Sequence, residues 1–281
     1  MTNVGAAHNV TVLGSGETTV VLGHGFYSNQ SVWRHFVPHL VDEYRVILYD
    51  DMGANTTDPN AFDFQRYSTV EGFVDDLISI LEEFKVERCI FVGHSLSALA
   101  AALASISRPE LFRKLIMINT TPRLTNAENY HGGIEAEKYD PQMAALEENP
   151  TEMYERFAPL ATGCDPNSTA VHEYTQNVLS MKPDIRQHII RLLGRLDLRA
   201  WLGQVTIPCH VIQSSNDLIV PVATAEYIHR SLGGKSVLEV VPTQGHYPHL
   251  SSPEVINPVL LRHIREDIAG DDKSEKIEME V

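Results

Sequence analysis

The chain has 281 residues, 43% of them hydrophobic, and a formal net charge of −15 at pH 7. This length and composition suit one large α/β domain, or one domain with an insertion. The negative charge argues against nucleic acid and anionic membranes as partners, because both repel an acidic surface. No run reaches the ~18 apolar residues of a membrane span, and Met1–Gly16 has neither the charged nor the apolar part of a secretory signal.

Short apolar runs and amphipathic segments alternate along most of the chain. The runs predicted as strands are Val10–Leu13, Thr19–Leu22, Arg45–Tyr49, Cys89–Val92, Lys114–Ile118, Pro208–Gln213 and Ser236–Val241. The segments predicted as helices are Ser31–Leu40, Thr69–Phe84, Ala98–Ser107, Ala223–Leu232 and Pro253–Ile268. This alternation predicts an α/β fold with a mostly parallel sheet, covered by helices on both faces, and right-handed crossovers.

The first two strands are joined by the sequence Gly-Ser-Gly-Glu at residues 14–17. A Gly-x-Gly sequence binds the phosphates of a dinucleotide where a helix follows it, but here a strand follows. We therefore predict a hairpin turn between these two strands and no nucleotide site.

Residues 124–195 interrupt the alternation, because they contain no convincing strand. Their apolar residues recur at helical spacing in four groups, and breakers separate the groups at Asp140-Pro141, Asn149-Pro150, Gly163–Pro166 and Lys182-Pro183. This pattern predicts four inserted helices. An insertion at this point lies over the carboxyl ends of the strands, where active sites of open α/β sheets form. We therefore call residues 124–195 the lid; a helical decoration remote from the site is the alternative.

A buried strand runs into an alanine-rich helix through Gly93-His94-Ser95-Leu96-Ser97. Gly-x-Ser-x-small between a strand and a helix is typical of the nucleophile elbow of α/β-hydrolases, where a sharp turn exposes the serine hydroxyl. Residues two positions before and after the serine must be small, because strand and helix approach closely. We predict Ser95 as a nucleophile in an α/β-hydrolase fold with a mostly parallel, eight-stranded sheet. The alternative is an ordinary serine in a strand–helix turn.

The loop Gly23-His24-Gly25-Phe26 follows the second strand. In this fold that loop supplies one donor of the oxyanion hole, and the residue after the nucleophile supplies the other. We therefore predict the backbone N–H groups of Phe26 and Leu96 as the oxyanion hole. His24 is an alternative base, but a structural role in the loop is favoured, because the base of this fold comes from the C-terminal part of the chain.

The partners of the serine follow it in this fold in the order acid, then base. Asp217 follows the strand after the lid and His246 follows the last strand, so we predict Ser95, Asp217 and His246 as a catalytic triad. The histidine would take the serine proton, and the aspartate would orient the imidazole. Asp50 and Asp51 are rival acids, but they lie on the wrong side of the elbow.

The sequence predicts no metal and no cofactor. The spacing of His246 and His249 suggests a metal pair, but no carboxylate or cysteine cluster accompanies them. Cys89, Cys164 and Cys209 also lack metal-type spacing, and we interpret them as small buried hydrophobes in a reducing compartment. A serine nucleophile further excludes the aspartyl-ester mechanism of the dehalogenases and epoxide hydrolases that share this fold.

Longer segments of the chain resemble one family in particular. They fall between Ala7 and Ala269 and are Ala7–Val10, Val21–Phe26, Gln30–Trp33, Val37–Val41, Leu48–Asp50, Phe91–Ser95, Phe157–Leu160 and Leu261–Ile264. In these segments the chain resembles the plant karrikin receptors, a class of α/β-hydrolases that is sister to the strigolactone receptors. The resemblance implies the same triad and oxyanion donors, a four-helix lid over a buried apolar pocket, and slow hydrolysis of butenolide-type ligands.

The resemblance also implies partners and a location. A receptor of this class signals through a leucine-rich-repeat F-box protein and a repressor of the chaperone-ATPase type. We expect a small butenolide ligand that is karrikin-like or strigolactone-like, a monomeric protein, and a place in the cytoplasm and nucleus.

The resemblance places the ligand pocket under the lid. The expected pocket residues are Phe26, Leu124, Ile134, Met153, Phe157, Leu160, Tyr174, Leu193, Gly194 and Ile219. At positions 124, 134, 153 and 194 relatives usually carry bulky aromatic residues, whereas this chain does not. We therefore expect a larger or reshaped cavity, so the ligand of the family is not transferred unchanged.

We divide the chain into a first part of the hydrolase core at 1–123, the lid at 124–195, a second part of the core at 196–269, and a disordered acidic tail at 270–281. The residues alone support a metabolic carboxylesterase or lactonase, acting on a small apolar ester, as well as they support a butenolide receptor. Only the resemblance favours the receptor. A binding module without catalysis is a third hypothesis, and the intact triad argues against it.

Overall fold

A mostly parallel sheet of seven strands forms the centre of the molecule. The computed structural model describes residues 3–268, and the predicted tail at 270–281 lies outside the described residues. The strands are β1 (Thr11–Leu13), β2 (Thr19–Gly23), β3 (Arg45–Leu48), β4 (Cys89–His94), β5 (Phe112–Ile118), β6 (Cys209–Asn216) and β7 (Ser236–Gln244). Their order is β1-β3-β2-β4-β5-β6-β7, and only β1 runs antiparallel to its neighbour. The predicted α/β-hydrolase architecture is confirmed.

Two details of the predicted sheet are wrong. Eight strands were expected, but the described residues form seven, because the residues before β1 fold into a short helix, α1 (Val4–Ala7), that the side chain of Asn3 caps. The first two strands also do not form a hairpin. The strand β3 lies between β1 and β2 and pairs with both, so residues 14–17 connect two strands that are not neighbours.

Helices cover both faces of the sheet. Beyond α1 they are α2 (Glu71–Glu83), α3 (Leu96–Ser107), α4 (Ala136–Glu148), α5 (Pro150–Thr162), α6 (Thr169–Ser180), α7 (Pro183–Arg195), α8 (Val222–Ser231), α9 (Pro248–Ser251) and α10 (Pro253–Arg265). Helices α4 to α7 are the four helices predicted between β5 and β6. The predicted helix at Ser31–Leu40 is wrong: two short 3₁₀ turns, Gln30–Trp33 and Val37–His39, stand there. Pro38 lacks the N–H that a continuous α-helix needs at this position.

The core lies in two layers, one on each face of the sheet. The side chain of Phe91 on β4 packs with helices α2 and α3, whereas Ile90 and Val92 pack on the other face, with Leu260 of α10. All six residues of β4 are buried, as expected for a central parallel strand. A third apolar cluster holds α4, α5 and α6 together and includes Tyr247 of the core, whereas α7 packs into the layer that contains Phe91.

Two of the three cysteines are buried as predicted, and one is not. Cys89 and Cys209 lie on β4 and β6, where burial raises the pKa of each thiol to about 12. Cys164 is half-buried in the turn after α5. Within residues 3–268, no helix is long and apolar enough to cross a membrane.

Candidate active site

Ser95 stands at the sharp turn between β4 and α3. Its backbone has φ +53° and ψ −116°, a strained conformation for a residue other than glycine. A Cβ atom on Gly93 would lie 2.7 Å from the Cα atom of Ala98, and one on Gly23 would lie 2.7 Å from Oγ of Ser97. Strand and helix therefore approach so closely that only small residues fit at positions 93 and 97, as the elbow motif requires.

The structure brings together the three residues predicted as a triad. Oγ of Ser95 lies 3.0 Å from Nε2 of His246, and Nδ1 of His246 lies 2.7 Å from Oδ2 of Asp217. The other carboxylate oxygen of Asp217 accepts hydrogen bonds from the backbone N–H groups of Ile219 and Val220, at 2.8 and 3.1 Å. Because a carboxylate only accepts, Nδ1 carries the imidazole proton and Nε2 presents its lone pair to the serine hydroxyl.

The backbone of His246 is held from both the lid and the core. Its N–H donates to the carbonyl oxygen of Ala161 in α5 at 2.7 Å. Its carbonyl accepts from Nε2 of His94 at 2.6 Å and from Nδ2 of Asn119 at 3.1 Å. Burial, together with the neighbouring histidines, holds the pKa of His94 well below its usual value, so this ring stays neutral. Sequence reasoning missed His94 and Asn119 as supports, although His94 stands within the elbow motif.

Two backbone N–H groups lie where an oxyanion hole is predicted. Leu96 begins helix α3, so its N–H has no partner within the helix. In the described part of the chain, neither this N–H nor that of Phe26 donates to a protein acceptor. Both residues line the cavity that Ser95 and His246 also line. The N–H groups remain predicted donors, and their surroundings suit that role.

His24 fixes the orientation of the loop before Phe26. Its Nε2 accepts from the backbone N–H of Asp51 at 2.9 Å, so the proton of this neutral ring sits on Nδ1. Nδ1 then donates to the carbonyl oxygen of Gly25 at 2.8 Å, as does Oγ of Ser28. In a trans peptide the carbonyl and the next N–H point in opposite directions, so these bonds turn the N–H of Phe26 away from them. This geometry matches the structural role that the sequence favoured for His24.

The two rival acids, Asp50 and Asp51, lie next to the loop at residues 23–26, which we call the oxyanion loop. Asp50 accepts hydrogen bonds from the backbone N–H of Gln30 at 2.8 Å and from the side chains of Asn9 and Thr56 at 3.0 and 2.7 Å, so it fastens loops together. Asp51 borders a cavity of about 10 Å³ that Phe26 also lines. Neither carboxylate contacts His246, whose Nδ1 is occupied by the aspartate predicted as its partner.

Burial raises the pKa of Asp51 from 3.8 to about 6, and the carboxylates of Asp76 and Asp50 add to the effect, while His24 and His8 oppose it. A raised pKa means that the folded state binds the proton more tightly than the unfolded state, so Asp51 contributes stability below pH 4 that is lost as the pH rises through 6. We expect Asp51→Asn to be more stable than the parent at pH 8, by about 1–3 kcal/mol. This gain should fade between pH 6 and pH 4.

Denaturant melts of the parent and Asp51→Asn between pH 4 and pH 8 measure this difference. Asp42→Asn, at an exposed position, is the matched control and should track the parent at every pH. A stability difference for Asp51→Asn that does not change with pH would contradict the burial of an ionised carboxylate at this position.

A cavity of about 450 Å³ opens above Ser95 and His246, under the lid. Its volume is within the range of small-molecule sites, and apolar side chains predominate in its walls. Seven of the ten predicted pocket residues line it: Phe26, Leu124, Ile134, Phe157, Tyr174, Leu193 and Ile219. The structure therefore places a ligand-sized apolar space directly over the serine and histidine.

Three predicted pocket residues do not line this cavity. Leu160 is 52% exposed on the outer side of α5. Met153 packs against the apolar cluster of the lid instead. Gly194 is separated from the cavity by the ring of Tyr139, because a Cβ atom at 194 would lie 2.1 Å from Cε1 of that ring. Tyr139 therefore fills the space that a larger residue at 194 would take.

Sequence reasoning missed several other walls of the cavity. They are Tyr27, Leu99, Thr121, Gly133, Glu135, Lys138, Tyr139, Gln142, Met143, Leu146, Ile190, Leu196, Leu218 and Tyr247. Six of the fourteen lie on α4 and α7, whose helical periodicity was recognised but whose rotation about their axes was not predictable. Three of the tyrosine hydroxyls already bind protein groups: Tyr27 binds Tyr154, Tyr139 binds the carbonyl of Ile190, and Tyr247 binds that of Phe26.

The surroundings of the histidine pair at 246 and 249 do not resemble a metal site. The ring of His249 is fully buried and stacks on Trp33, with 4.4 Å between ring centroids. No group of three or more histidine, cysteine, aspartate or glutamate side chains within residues 3–268 is arranged to hold a metal ion. His249 thus packs as part of the core beneath the site.

Comparison with known proteins agrees with this geometry. Residues 20–259 match the Alpha/beta hydrolase family. The chain belongs to that family. It is 54% identical to the karrikin insensitive 2 receptor IA of Petunia hybrida, over 93% of this chain and 95% of the relative. It is 42% identical to the strigolactone esterase D14 of Arabidopsis thaliana, over 92% of this chain and 97% of that protein.

The solved structures include close matches to the fold of this family member. A hydrolase from Oleispira antarctica aligns with a TM-score of 0.89 and 27% identity, over 94% of this chain and 97% of that one. The resemblance to karrikin receptors and their strigolactone sisters, drawn above from short segments, is confirmed over nearly the whole chain.

Proposed function

We propose that the chain is a receptor for a small butenolide ligand, karrikin-like or strigolactone-like, that hydrolyses its ligand slowly through a Ser-His-Asp triad. One observation carries the proposal: Ser95 and His246, hydrogen-bonded to each other and through His246 to the buried Asp217, line an apolar cavity of ligand size. The names of the relatives supply the ligand class, since they are karrikin receptors and strigolactone esterases.

The geometry gives each residue a step in ester cleavage. His246 takes the proton of Ser95 as the serine oxygen attacks the ester or lactone carbonyl, and it later returns the proton to the leaving oxygen. Asp217 orients the ring and stabilises the imidazolium. The backbone N–H groups of Phe26 and Leu96 bind the oxyanion of the tetrahedral intermediate, a stabilisation of about 2.7–4 kcal/mol for one donor in a known enzyme.

The ligand class agrees with the composition of the cavity walls. A butenolide is a small, uncharged lactone, and its body fits against residues such as Leu124, Ile134 and Phe157. The walls also include Glu135 and Lys138, whose side chains are charged. An apolar space with few polar groups binds a small lactone through burial of its hydrocarbon surface.

The test is a pair of measurements on the parent and Ser95→Ala after incubation with a panel of butenolide esters. Intact-mass spectrometry reports hydrolysis and any retained adduct, and a thermal melt reports the effect on the fold. We expect a retained adduct in the parent and a lowered melting temperature, because a ligand that reacts and leaves the lid altered acts oppositely to one that only binds the native state. Ser95→Ala should show neither change.

Rapid turnover without a retained adduct, accompanied only by a raised melting temperature, would support the alternative instead. That alternative is a metabolic carboxylesterase or lactonase that acts on a small apolar ester. An absence of both reaction and binding across the panel would refute both functions.

As a receptor of this class, the protein would work in the cytoplasm and nucleus. There it would act with a leucine-rich-repeat F-box protein and a repressor of the chaperone-ATPase type. The support for these partners is similarity to the karrikin receptors over more than nine-tenths of the chain. Ligand-dependent capture of the two purified partners by the parent, and loss of capture in Ser95→Ala, would test the proposal.

A further inference from the structure

Four side chains connect the oxyanion loop to the lid through an unbroken line of hydrogen bonds. The hydroxyl of Tyr27 donates to that of Tyr154 at 2.8 Å, and Tyr154 donates to Oε1 of Glu147 at 2.9 Å. Arg186 donates from Nε to the same oxygen at 2.9 Å and from Nη2 to Oε2 at 2.7 Å. Tyr27 directly follows the predicted oxyanion donor Phe26, whereas the other three lie on α5, α4 and α7.

Tyr154 and Arg186 are buried, and Tyr27 and Glu147 are half-buried. Tyr154 is 0% exposed and Arg186 is 2% exposed. The guanidinium of Arg186 lies 5.3 Å from the ring centroid of Tyr154 and also donates to the carbonyl of Val178 in α6, so all four lid helices take part. Burial raises the pKa of Glu147, but hydrogen bonds from Arg186 and Tyr154 outweigh it and leave that pKa below its usual value. Glu147 is therefore an ionised acceptor at the centre of a satisfied network.

The backbone conformation of Tyr27 is strained and must be stabilised by its surroundings. Its φ is +65°, in the left-handed region that residues other than glycine rarely adopt. Backbone strain of this kind persists only where the surroundings enforce it. The hydroxyl bond to Tyr154 and the edge-on contacts with the rings of Tyr154 and Tyr174 supply that stabilisation, and the ring of Phe26 stacks on Tyr27 with 4.0 Å between centroids.

We propose that Tyr27, Tyr154, Glu147 and Arg186 form a tether through which the lid positions the oxyanion hole. The inference rests on the hydrolase function proposed above and adds a control to it. The tether residues are positioning residues, because they act through the backbone N–H of Phe26. When the lid shifts, Tyr27 loses its anchor, the N–H of Phe26 leaves its place, and hydrolysis slows. The state of the lid and the rate of the reaction are thereby linked.

Tyr27→Phe and Tyr154→Phe test the tether, because each keeps its ring and loses one hydroxyl. With 4-nitrophenyl acetate as the probe, we expect kcat to fall about 10-fold and KM to stay within about 2-fold, a smaller loss than the ~10²–10³-fold that follows removal of an oxyanion donor. Inhibition by a trifluoromethyl ketone, which forms an oxyanion adduct with a serine, should weaken by the same factor as kcat. A role in folding alone would lower the melting temperature without this split between kcat and KM.

Two further variants make the test selective. Tyr67→Phe is the matched control, since the hydroxyl of Tyr67 is also buried and donates to a carboxylate, that of Asp76 at 2.7 Å, outside the site. It should keep the parent kcat. The kcat of the double variant Tyr27→Phe with Tyr154→Phe should be no lower than that of the slower single variant, because both changes break the same chain of hydrogen bonds.

The measurements distinguish a failure of the tether proposal from a failure of the hydrolase proposal. Unchanged kcat in Tyr27→Phe, or losses that multiply in the double variant, would overturn the tether while the parent still hydrolyses the ester. A parent that does not hydrolyse the ester would instead refute the proposed hydrolase function.

Discussion

Ser95→Ala should lower the hydrolysis of 4-nitrophenyl acetate by about 10⁴–10⁶-fold, because the members of a triad act as a unit. The expectation rests on the 3.0 Å contact between Oγ of Ser95 and Nε2 of His246, and on the 2.7 Å contact between His246 and Asp217. Without the hydroxyl, the base has no proton to take and no acyl intermediate forms. The predicted oxyanion donors and the cavity remain, so a small residual rate over water is expected.

The variant should fold as the parent does, since it lacks only one oxygen and keeps the backbone of the elbow. Ser105→Ala is the matched control, because Ser105 is a buried serine in α3, the helix that follows Ser95, and its hydroxyl donates to the carbonyl of Ala102 at 2.7 Å, away from the cavity. Its rate should equal that of the parent. A folded Ser95→Ala protein that hydrolyses the ester at near the parent rate would mean that another group is the nucleophile.

The triad could be predicted from sequence because its signals are local and ordered. Gly93 and Ser97 must be small because strand and helix approach closely at the elbow, and the five residues of the motif are enough to recognise this. Asp217 and His246 each follow a strand of the core, and parallel strands bring their carboxyl ends to one edge of the sheet. The structure places these residues within hydrogen-bonding distance of one another. Predictions that depend on the order of elements along the chain and on turn chemistry at the elbow therefore needed no knowledge of side-chain packing.

The walls of the cavity could not be predicted in the same way. In α5, Met153, Phe157 and Leu160 recur at helical spacing, yet only Phe157 faces the cavity. The periodicity gives a helix and an apolar face, but the lid has apolar neighbours on more than one side, so the spacing does not say which face meets the ligand. The tether escapes sequence reasoning for a related reason, because Tyr27 and Tyr154 are 127 residues apart.

The pairing of strands in the sheet could not be predicted from local sequence. Strands β1 and β2 are adjacent in sequence and joined by a glycine-containing turn, which favours a hairpin, but β3 inserts between them. A local pattern does not reveal that a later strand competes for the same edge. The eighth strand was also predicted wrongly. It was expected from the α/β-hydrolase fold, although no apolar run before β1 indicated it.

Gly194→Phe should destabilise the protein by about 2–5 kcal/mol, although the family resemblance suggests an aromatic residue at this position. The reason is Tyr139, whose ring already occupies the space: a Cβ atom at 194 would meet Cε1 at 2.1 Å and Cδ1 at 2.4 Å. The ring has little freedom to retreat, because its hydroxyl donates to the buried carbonyl of Ile190 at 2.8 Å. Displacement would break that bond and push the ring into the cavity.

The double variant Tyr139→Ala with Gly194→Phe exchanges one ring for the other and should recover most of the stability lost by Gly194→Phe. Chemical denaturation of the parent, both single variants and the double variant measures this coupling. If the two changes add independently, the two rings do not share one space.

Alanine substitutions give the sharpest form of the same test, because they isolate the Cβ atom. Replacing a helical glycine by alanine normally stabilises a protein by about 0.5–1 kcal/mol. We expect the opposite sign for Gly194→Ala, a loss of about 1–3 kcal/mol, since its Cβ overlaps the tyrosine ring. Gly203→Ala is the control: it lies in a 3₁₀ turn after the lid, and the nearest atom to its Cβ is 3.9 Å away. A gain in stability for Gly194→Ala would show that Tyr139 moves freely, and the cavity would then adapt to larger ligands through that ring.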